Sequence, residues 1–267
     1  MTENKKKHYH RGPKKKRKGS VISNIILVIA IVVFVISGVK LYQIFSEYQK
    51  GKSEYDKVQK LAVTKKDKKD KEDGEDKFTI DFDALVAMNP DIAGWIRFEE
   101  PSEINYPVVQ GKDNAEYLRR TFQENDNKLG TLFVDVDNKK DFSDKNTFIY
   151  GHNMKNGTMF AQLMKYQEED YYKEHPYFYI YTPNKKVAKY QICSAGIVGD
   201  TSISYQKTYE SEQAYLTYLE EIKKASAYDT KVTLSATSQL VSLSTCTNVR
   251  EEDRFLVHGV KISEEDQ

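Results

Sequence analysis

The sequence has almost no net charge and almost no cysteine. Its 41 basic and 40 acidic residues give a formal net charge of +1, but the two signs are unevenly distributed. Residues 1–18 carry a net +8, residues 40–77 a net +2, and the rest of the chain a net −9. A nucleic-acid binder would carry its positive charge on the folded domain, so this pattern argues against that class. It indicates a chain whose two ends lie on opposite sides of a membrane.

Residues 19–39 contain no charged side chain, and most of them are Ile, Val or Leu. Twenty-one helical residues at about 1.5 Å each span roughly the 30 Å hydrocarbon core of a bilayer. A secretory signal peptide is the alternative, but the run exceeds a usual signal core and has no clear small-x-small cleavage site. The basic cluster at residues 14–18 precedes the run. The positive-inside rule therefore predicts a cytoplasmic tail over 1–18, a single-pass anchor over 19–39, and a C-terminal domain outside the cell.

The segment that follows the anchor ends in a highly charged run. Residues 65–77 are all Lys, Asp or Glu except for one glycine. Such a run cannot bury enough apolar surface to fold. We therefore predict a solvated tether over residues 40–77, helical at most near the membrane, and a folded domain over residues 78–267. No internal repeat is visible in the sequence.

Short apolar stretches separated by turn residues dominate the predicted domain. Strands are predicted at residues 92–98, 106–109, 131–134, 147–150, 177–181, 189–198, 231–235, 239–245 and 254–262. Helical segments are predicted at residues 81–88, 113–120, 158–165 and 211–227, the last of them capped by Ser211. Many short strands with a few helices in the connections favour a mainly β, α+β fold built on a closed or nearly closed barrel.

The two cysteines are expected to differ in accessibility. An even number of cysteines outside a cell usually suggests a disulfide. Cys193, however, lies in a strand-like stretch where a free thiol commonly behaves as a small core residue. Cys246 ends a predicted strand, and alternation places it on the same face as Ser242 and Ser244, away from the main apolar face. That position suits an accessible nucleophile.

A histidine and an arginine complete a set of groups suited to acyl transfer. Residues 247–253 form a short polar connection, so Arg254 can return beside Cys246 on the next strand. A thiol can attack a carbonyl, the imidazole of His152 can move protons, and a guanidinium can steady negative charge. His258 is a rival base, but four residues along a strand place it about 13 Å from Arg254. Arg250 lies in the polar connection, where a solvated charge is expected.

Local sequence narrows the choice between a cysteine acyltransferase and a peptidase. The LSTC sequence at residues 243–246, followed by Arg254, resembles the [TL]-x-T-C…R signature of sortases, which attach exported proteins to Gram-positive cell walls. YGHNM at 150–154, NGTMF at 156–160 and RFLVHG at 254–259 resemble the corresponding regions of class B sortases. The long helical connection at about 199–228 is similar to the insertion that separates class B from class A. The resemblance covers about residues 78–262 and implies a sortase-type closed β-barrel.

The resemblance also implies roles for individual residues. Cys246 would attack the threonine carbonyl of a C-terminal sorting signal, His152 would protonate the leaving amine and activate the incoming one, and Arg254 would hold the oxyanion or the substrate backbone. The backbone N–H of residue 247 is a further candidate oxyanion donor. Six positions match the family's peptide groove: Asn114, Leu118, Tyr150, Thr201, Tyr205 and Ser244. Nothing matches the acidic calcium site of some class A enzymes, so neither a metal nor a cofactor is expected.

The sequence therefore predicts a membrane-anchored class B sortase, a cysteine transpeptidase in the cell membrane with its catalytic domain outside. Its partners would be secreted proteins with a sorting signal of the Asn-Pro-x-Thr-x kind, a peptidoglycan cross-peptide amine as acceptor, and the lipid bilayer around one helix. A pilin-polymerising sortase, whose acceptor is a lysine of another protein, is an alternative with the same chemistry. A catalytically idle wall-binding module is an alternative of a different class.

Overall fold

The computed structural model describes residues 19–65 and 78–267. The predicted basic tail and residues 66–77 of the predicted tether lie outside the described residues. The chain divides into two compact units, and the division falls between Ser46 and Glu47.

Helix α1 (Gly19–Ala62) carries the predicted anchor in its first half. Its apolar side chains there are broadly exposed, with Val28 at 60% and Phe34 at 77%. By length and composition the helix can cross a membrane. A lipid environment would cover this apolar surface without cost, whereas water would not.

The last turns of α1 belong to the folded domain, which differs from the predicted tether. Tyr55, Val58 and Ala62 are 2%, 0% and 0% exposed and lie within the main core. Their spacing of three and four residues places them on one face of the helix, while the intervening charged residues face water. The even mixture of lysine and acidic residues hides this periodicity, which is why composition alone favours a solvated segment.

Beyond the helix, strand β1 (Val63–Lys65) pairs antiparallel with β2 (Phe78–Ile80). Helix α2 (Phe82–Met88) follows, and the Asp81 side chain caps it by accepting from the Ala84 N–H at 3.0 Å.

Eight strands form the closed barrel, which confirms the predicted fold class. Their bounds in chain order are β3 (Ile92–Phe98), β4 (Asn105–Val109), β5 (Leu132–Val134), β6 (Asn146–Tyr150), β7 (Tyr177–Thr182), β8 (Lys186–Gly199), β9 (Leu240–Cys246) and β10 (Asp253–Asp266). Their order around the barrel is β10-β8-β7-β3-β4-β5-β6-β9. Neighbours are antiparallel except for β4 with β5 and β6 with β9, which are parallel. The β6–β9 pairing closes the barrel between the two predicted catalytic segments.

The connections contain short helices. Three are 3-10 helices, at Glu116–Leu118, Phe160–Gln167 and Ile203–Tyr205. Two are α-helices, α3 (Glu169–Glu174) and α4 (Glu212–Lys224), and the Ser211 hydroxyl caps α4 as predicted by accepting from Ala214 N–H.

The predicted strand at residues 231–235 is wrong. This segment forms an irregular connection, and Lys231 has a φ of 60°, which a β-strand cannot contain. The Thr230 hydroxyl donates to the Cys193 carbonyl at 2.8 Å and holds the connection against β8.

Helix α4 covers the outer side of the barrel at β8, β9 and β10. Tyr215, Tyr218 and Ile222 are fully buried there and pack in a second cluster with Cys193 and Leu240. Because α4 packs here, strand β9 is buried on both of its faces.

Candidate active site

Cys246 is accessible because strand β9 ends there. Every residue from Leu240 to Thr245 is buried, whereas Cys246 is exposed. The prediction that Ser242 and Ser244 share an open face with Cys246 is therefore wrong, since both serines are buried. The polar face of β9 is covered by the β8–α4 connection and α4, which supply partners for its hydroxyls.

Arg254 lies directly opposite Cys246 in the antiparallel pairing of β9 with β10. Its Nη1 donates to the carbonyl oxygens of Glu251, at 2.5 Å, and Asp253, at 3.1 Å. A second guanidinium nitrogen lies 3.7 Å from the carboxylate of Asp200. These contacts fix a permanently charged planar donor next to the thiol. Both residues line one groove.

His152 enters the same groove from the loop that follows β6. Its Nε2 lies 2.7 Å from the backbone carbonyl oxygen of Leu118. A carbonyl oxygen can only accept, so Nε2 must carry a proton and donate it. Nδ1 is then the ring nitrogen that can gain or lose a proton. This hydrogen bond fixes both the tautomer and the orientation of the ring.

Two asparagines connect the histidine loop to the end of β9. The Asn153 Nδ2 donates to the carbonyl oxygen of Cys246 at 2.9 Å. The Asn248 Nδ2 donates in turn to the carbonyl oxygen of Asn153 at 2.8 Å. Sequence analysis assigned neither residue a role, although Asn153 directly follows His152 in the matched motif. Asn248 has a φ of 62°, a left-handed conformation that asparagine tolerates better than most residues.

The groove has a volume of about 240 Å³. Four of the six predicted groove positions line it: Asn114, Leu118, Tyr150 and Ser244. Thr131 and Phe133, which sequence analysis did not single out, line it as well. The backbone N–H of Thr247, the candidate oxyanion donor, makes a long 3.4 Å contact with the Asp253 carbonyl.

The other two predicted groove positions stand differently. Tyr205 contacts the site through a 2.7 Å hydrogen bond between its hydroxyl and that of Ser244. Its ring also stacks on Phe148, with centroids 5.5 Å apart. Thr201 is exposed at the start of the β8–α4 connection and is not part of the groove lining.

The rival base is structural. His258 is 2% exposed and pairs with Ser242 on β9, four positions from Cys246. Its Nδ1 lies 2.7 Å from the Ser242 hydroxyl, which donates its own proton to Asn146. Burial lowers the pKa of His258 to about 3, so the ring is neutral at any working pH.

The two remaining rivals are also far from the required chemistry. Cys193 is a free, buried thiol, and burial raises its pKa to about 12, which keeps the thiolate unavailable. Arg250 is a largely exposed charge 3.5 Å from Asp253. Within residues 19–65 and 78–267, no group of three or more His, Cys, Asp or Glu side chains is arranged to hold a metal.

Comparison with known proteins agrees with this geometry. The sortase domain model matches residues 100–262. Sortase B of Listeria monocytogenes is 33% identical over 179 residues, which cover 66% of this chain and 71% of that protein. Sortase B of Staphylococcus aureus is 30% identical over 230 residues, covering 85% and 91% respectively.

Solved structures give the same result. The sortase B of Bacillus anthracis in complex with AAEK1 matches with a TM-score of 0.71 and 29% identity, over 82% of this chain and all of that one. The Staphylococcus aureus sortase B–substrate complex matches with a TM-score of 0.64 and 29% identity, over 68% and 84%.

The chain therefore belongs to the sortase family, whose closed barrel with the thiol at a strand end is the fold described above. Within that family its relatives place it in class B, and it is a cysteine transpeptidase.

Proposed function

We propose that this enzyme cleaves a C-terminal sorting signal of the Asn-Pro-x-Thr-x kind through a thioester on Cys246. The acyl group then passes to an amine of a peptidoglycan cross-peptide. The observation that carries the proposal is the position of the exposed thiol of Cys246, directly opposite Arg254 and in one groove with His152. A thiolate, a proton shuttle and a charged donor are the groups that this reaction needs.

The roles follow from the contacts. Cys246 Sγ attacks the threonine carbonyl, and the guanidinium of Arg254 stabilises the negative charge on the carbonyl oxygen. The imidazole of His152 gives a proton to the leaving amine and later takes one from the incoming amine. Since Leu118 holds Nε2 as a donor, Nδ1 is the nitrogen that performs both transfers.

We further propose that α1 anchors the chain in the cell membrane, with residues 1–18 in the cytoplasm and the catalytic domain outside. The length of its apolar half and the basic cluster before it support this topology. Labelling of single cysteines placed at residues 5 and 267 with a membrane-impermeant reagent on intact cells tests it. Only the position at 267 should react.

A library of sorting peptides incubated with candidate amines tests the reaction. Mass spectrometry should detect a product that joins the peptide's N-terminal part to the cross-peptide amine. Cys246→Ala should abolish both cleavage and transfer, and Cys193→Ala, the matched control, should retain both. Transfer to the lysine of a folded protein in preference to the cross-peptide would instead identify a pilin-polymerising enzyme. A wild-type protein that neither cleaves nor transfers any peptide would refute the proposal.

A further inference from the structure

A buried carboxylate that the reaction does not use lies behind the groove. Asp135 is 1% exposed and immediately follows strand β5. Its Oδ1 accepts from the Lys207 ammonium at 2.8 Å and from the backbone N–H of Asp137 at 2.9 Å. Its Oδ2 accepts from the Tyr150 hydroxyl at 2.7 Å and from the Asn114 amide at 3.3 Å. One carboxylate therefore holds two groove-lining side chains.

Lys207 connects this carboxylate to the opposite side of the site. It lies in the β8–α4 connection, two residues after Tyr205, and its ammonium also lies 2.7 Å from the exposed Asp137 carboxylate. Tyr205 in turn bonds to Ser244 of β9, two residues before Cys246. The β8–α4 connection is thus attached at two points, one on the strand that carries the thiol and one on Asp135.

The charges make the arrangement interdependent. Burial alone would raise the pKa of Asp135, but Lys207 and the donated hydrogen bonds outweigh burial and lower it, so the group is ionised. Burial and the adjacent Asp135 both raise the pKa of Tyr150, so the phenol keeps its proton. A buried carboxylate that lost its ammonium partner would be poorly compensated, and its neighbours would rearrange around it.

The direction of the Tyr150 hydrogen bond has a chemical consequence for the groove. A hydroxyl has one proton, and the Tyr150 hydroxyl donates its proton to Asp135. The lone pairs of its oxygen are then available to accept a hydrogen bond from a bound peptide. A group with an N–H, either from the peptide backbone or from a side-chain amide, fits this position.

We propose that Asp135 and Lys207 are positioning residues that hold the Tyr150 hydroxyl as an acceptor for an N–H group of the acyl-donor peptide. This inference rests on the proposed function, because it assigns a peptide contact within the same groove. The pair acts on peptide binding and not on the thiol, since neither residue lines the groove or contacts Cys246.

Steady-state kinetics with a sorting peptide test the proposal. Lys207→Met should raise KM on the order of tenfold, the effect of one charge-assisted hydrogen bond, with kcat within about twofold of wild type. The rate of alkylation of Cys246 by iodoacetamide should not change. Lys224→Met is the matched control, because Lys224 pairs with Glu221 on the exposed face of α4 at 2.6 Å. It should leave KM, kcat and alkylation unaltered.

A double-mutant cycle separates positioning from a general structural effect. Tyr150→Phe removes the acceptor, so Lys207→Met should add little to KM in that background. Full additivity of the two changes, or an unchanged KM in Lys207→Met while wild type turns over the peptide, would overturn this inference alone. Absence of wild-type turnover would overturn the proposed function and this inference with it. If Lys207→Met does not fold, Tyr150→Phe alone must raise KM, and an unchanged KM there would overturn the inference.

Discussion

The docking of the end of α1 on the catalytic domain predicts a large effect of a substitution far from the thiol. Tyr55 is 2% exposed, and its ring meets that of Tyr106 edge-on with centroids 5.5 Å apart. Its hydroxyl bonds to the carbonyl of Gly130 and to the hydroxyl of Thr131, which lines the groove. This side chain therefore ties the helix to the wall of the candidate active site.

The magnitude follows from burial. Truncation of a fully buried aromatic residue to alanine costs about 3–5 kcal/mol, so Tyr55→Ala should lower the Tm of a domain of this size by roughly 6–20 °C. Tyr55→Phe keeps the packing but leaves the Gly130 carbonyl without its donor, at a cost of about 1–3 kcal/mol. Its Tm should fall by roughly 2–12 °C.

Thermal unfolding followed by circular dichroism on a chain that begins at Glu47 measures both effects. Lys57→Ala is the matched control, because Lys57 lies on the exposed side of the same turn. Its Tm should stay within about 2 °C of wild type, as for most surface substitutions. If Tyr55→Ala also melted within 2 °C of wild type, the helix would not be docked, and residues 40–77 would be the solvated tether that composition indicates.

Three further predictions concern the domain boundary, the buried carboxylate and the two thiols. A chain that begins at Phe78 should be less stable than one that begins at Glu47, because it lacks Tyr55, Val58 and Ala62; equal urea midpoints would contradict this. The pKa of Asp135 is lowered in the folded state, so its contribution to stability is present above its unfolded pKa of about 3.9 and is lost as pH falls through the folded value. Urea unfolding between pH 7 and 3 should therefore show a smaller acid-induced loss for Asp135→Asn than for wild type, and parallel curves would exclude the effect. Iodoacetamide should modify one cysteine of the native protein, Cys246, and two in denaturant; modification of Cys193 in the native protein would show that its strand opens readily.

Sequence patterns predicted the barrel well where local signals agree with tertiary packing. Strand β3 occupies the predicted residues, and Ser211 caps α4 as expected. The predicted strand at 231–235 failed because Val232 and Leu234 pack against α4 from an irregular segment, so their alternation reports burial and not strand pairing. The helix face of Tyr55 was missed because the surrounding charges dominate the composition of that segment.

The candidate site divides in the same way. His152, Cys246 and Arg254 could be named from sequence because short motifs hold them, and the structure brings all three to one groove. The contribution of Asp135, Lys207 and Asn248 could not be predicted, because each acts through a partner that is distant in sequence. Asp135 and Lys207 are 72 residues apart, and no local pattern reports such a contact.

The proton shuttle is open to a direct kinetic comparison. His152→Ala should remove most activity and flatten the pH profile of the remainder, whereas a folded His258→Ala should retain catalysis, because His258 is buried and bonded to Ser242. Arg254→Lys keeps the charge but loses the planar fork, so its rate should fall on the order of 10²-fold. A dead, folded His258→Ala beside a nearly normal His152→Ala would reverse the assignment.

The most direct test of the central claim is to trap the acyl-enzyme. The wild-type protein is mixed with a sorting peptide in the absence of an acceptor amine, quenched in acid, digested and measured by mass spectrometry. The fragment that contains Cys246 should gain the mass of the peptide's N-terminal part up to its threonine, in wild type and in Cys193→Ala. An acyl group found on Cys193, or peptide cleavage by Cys246→Ala at the wild-type rate, would contradict the assignment of Cys246 as the nucleophile.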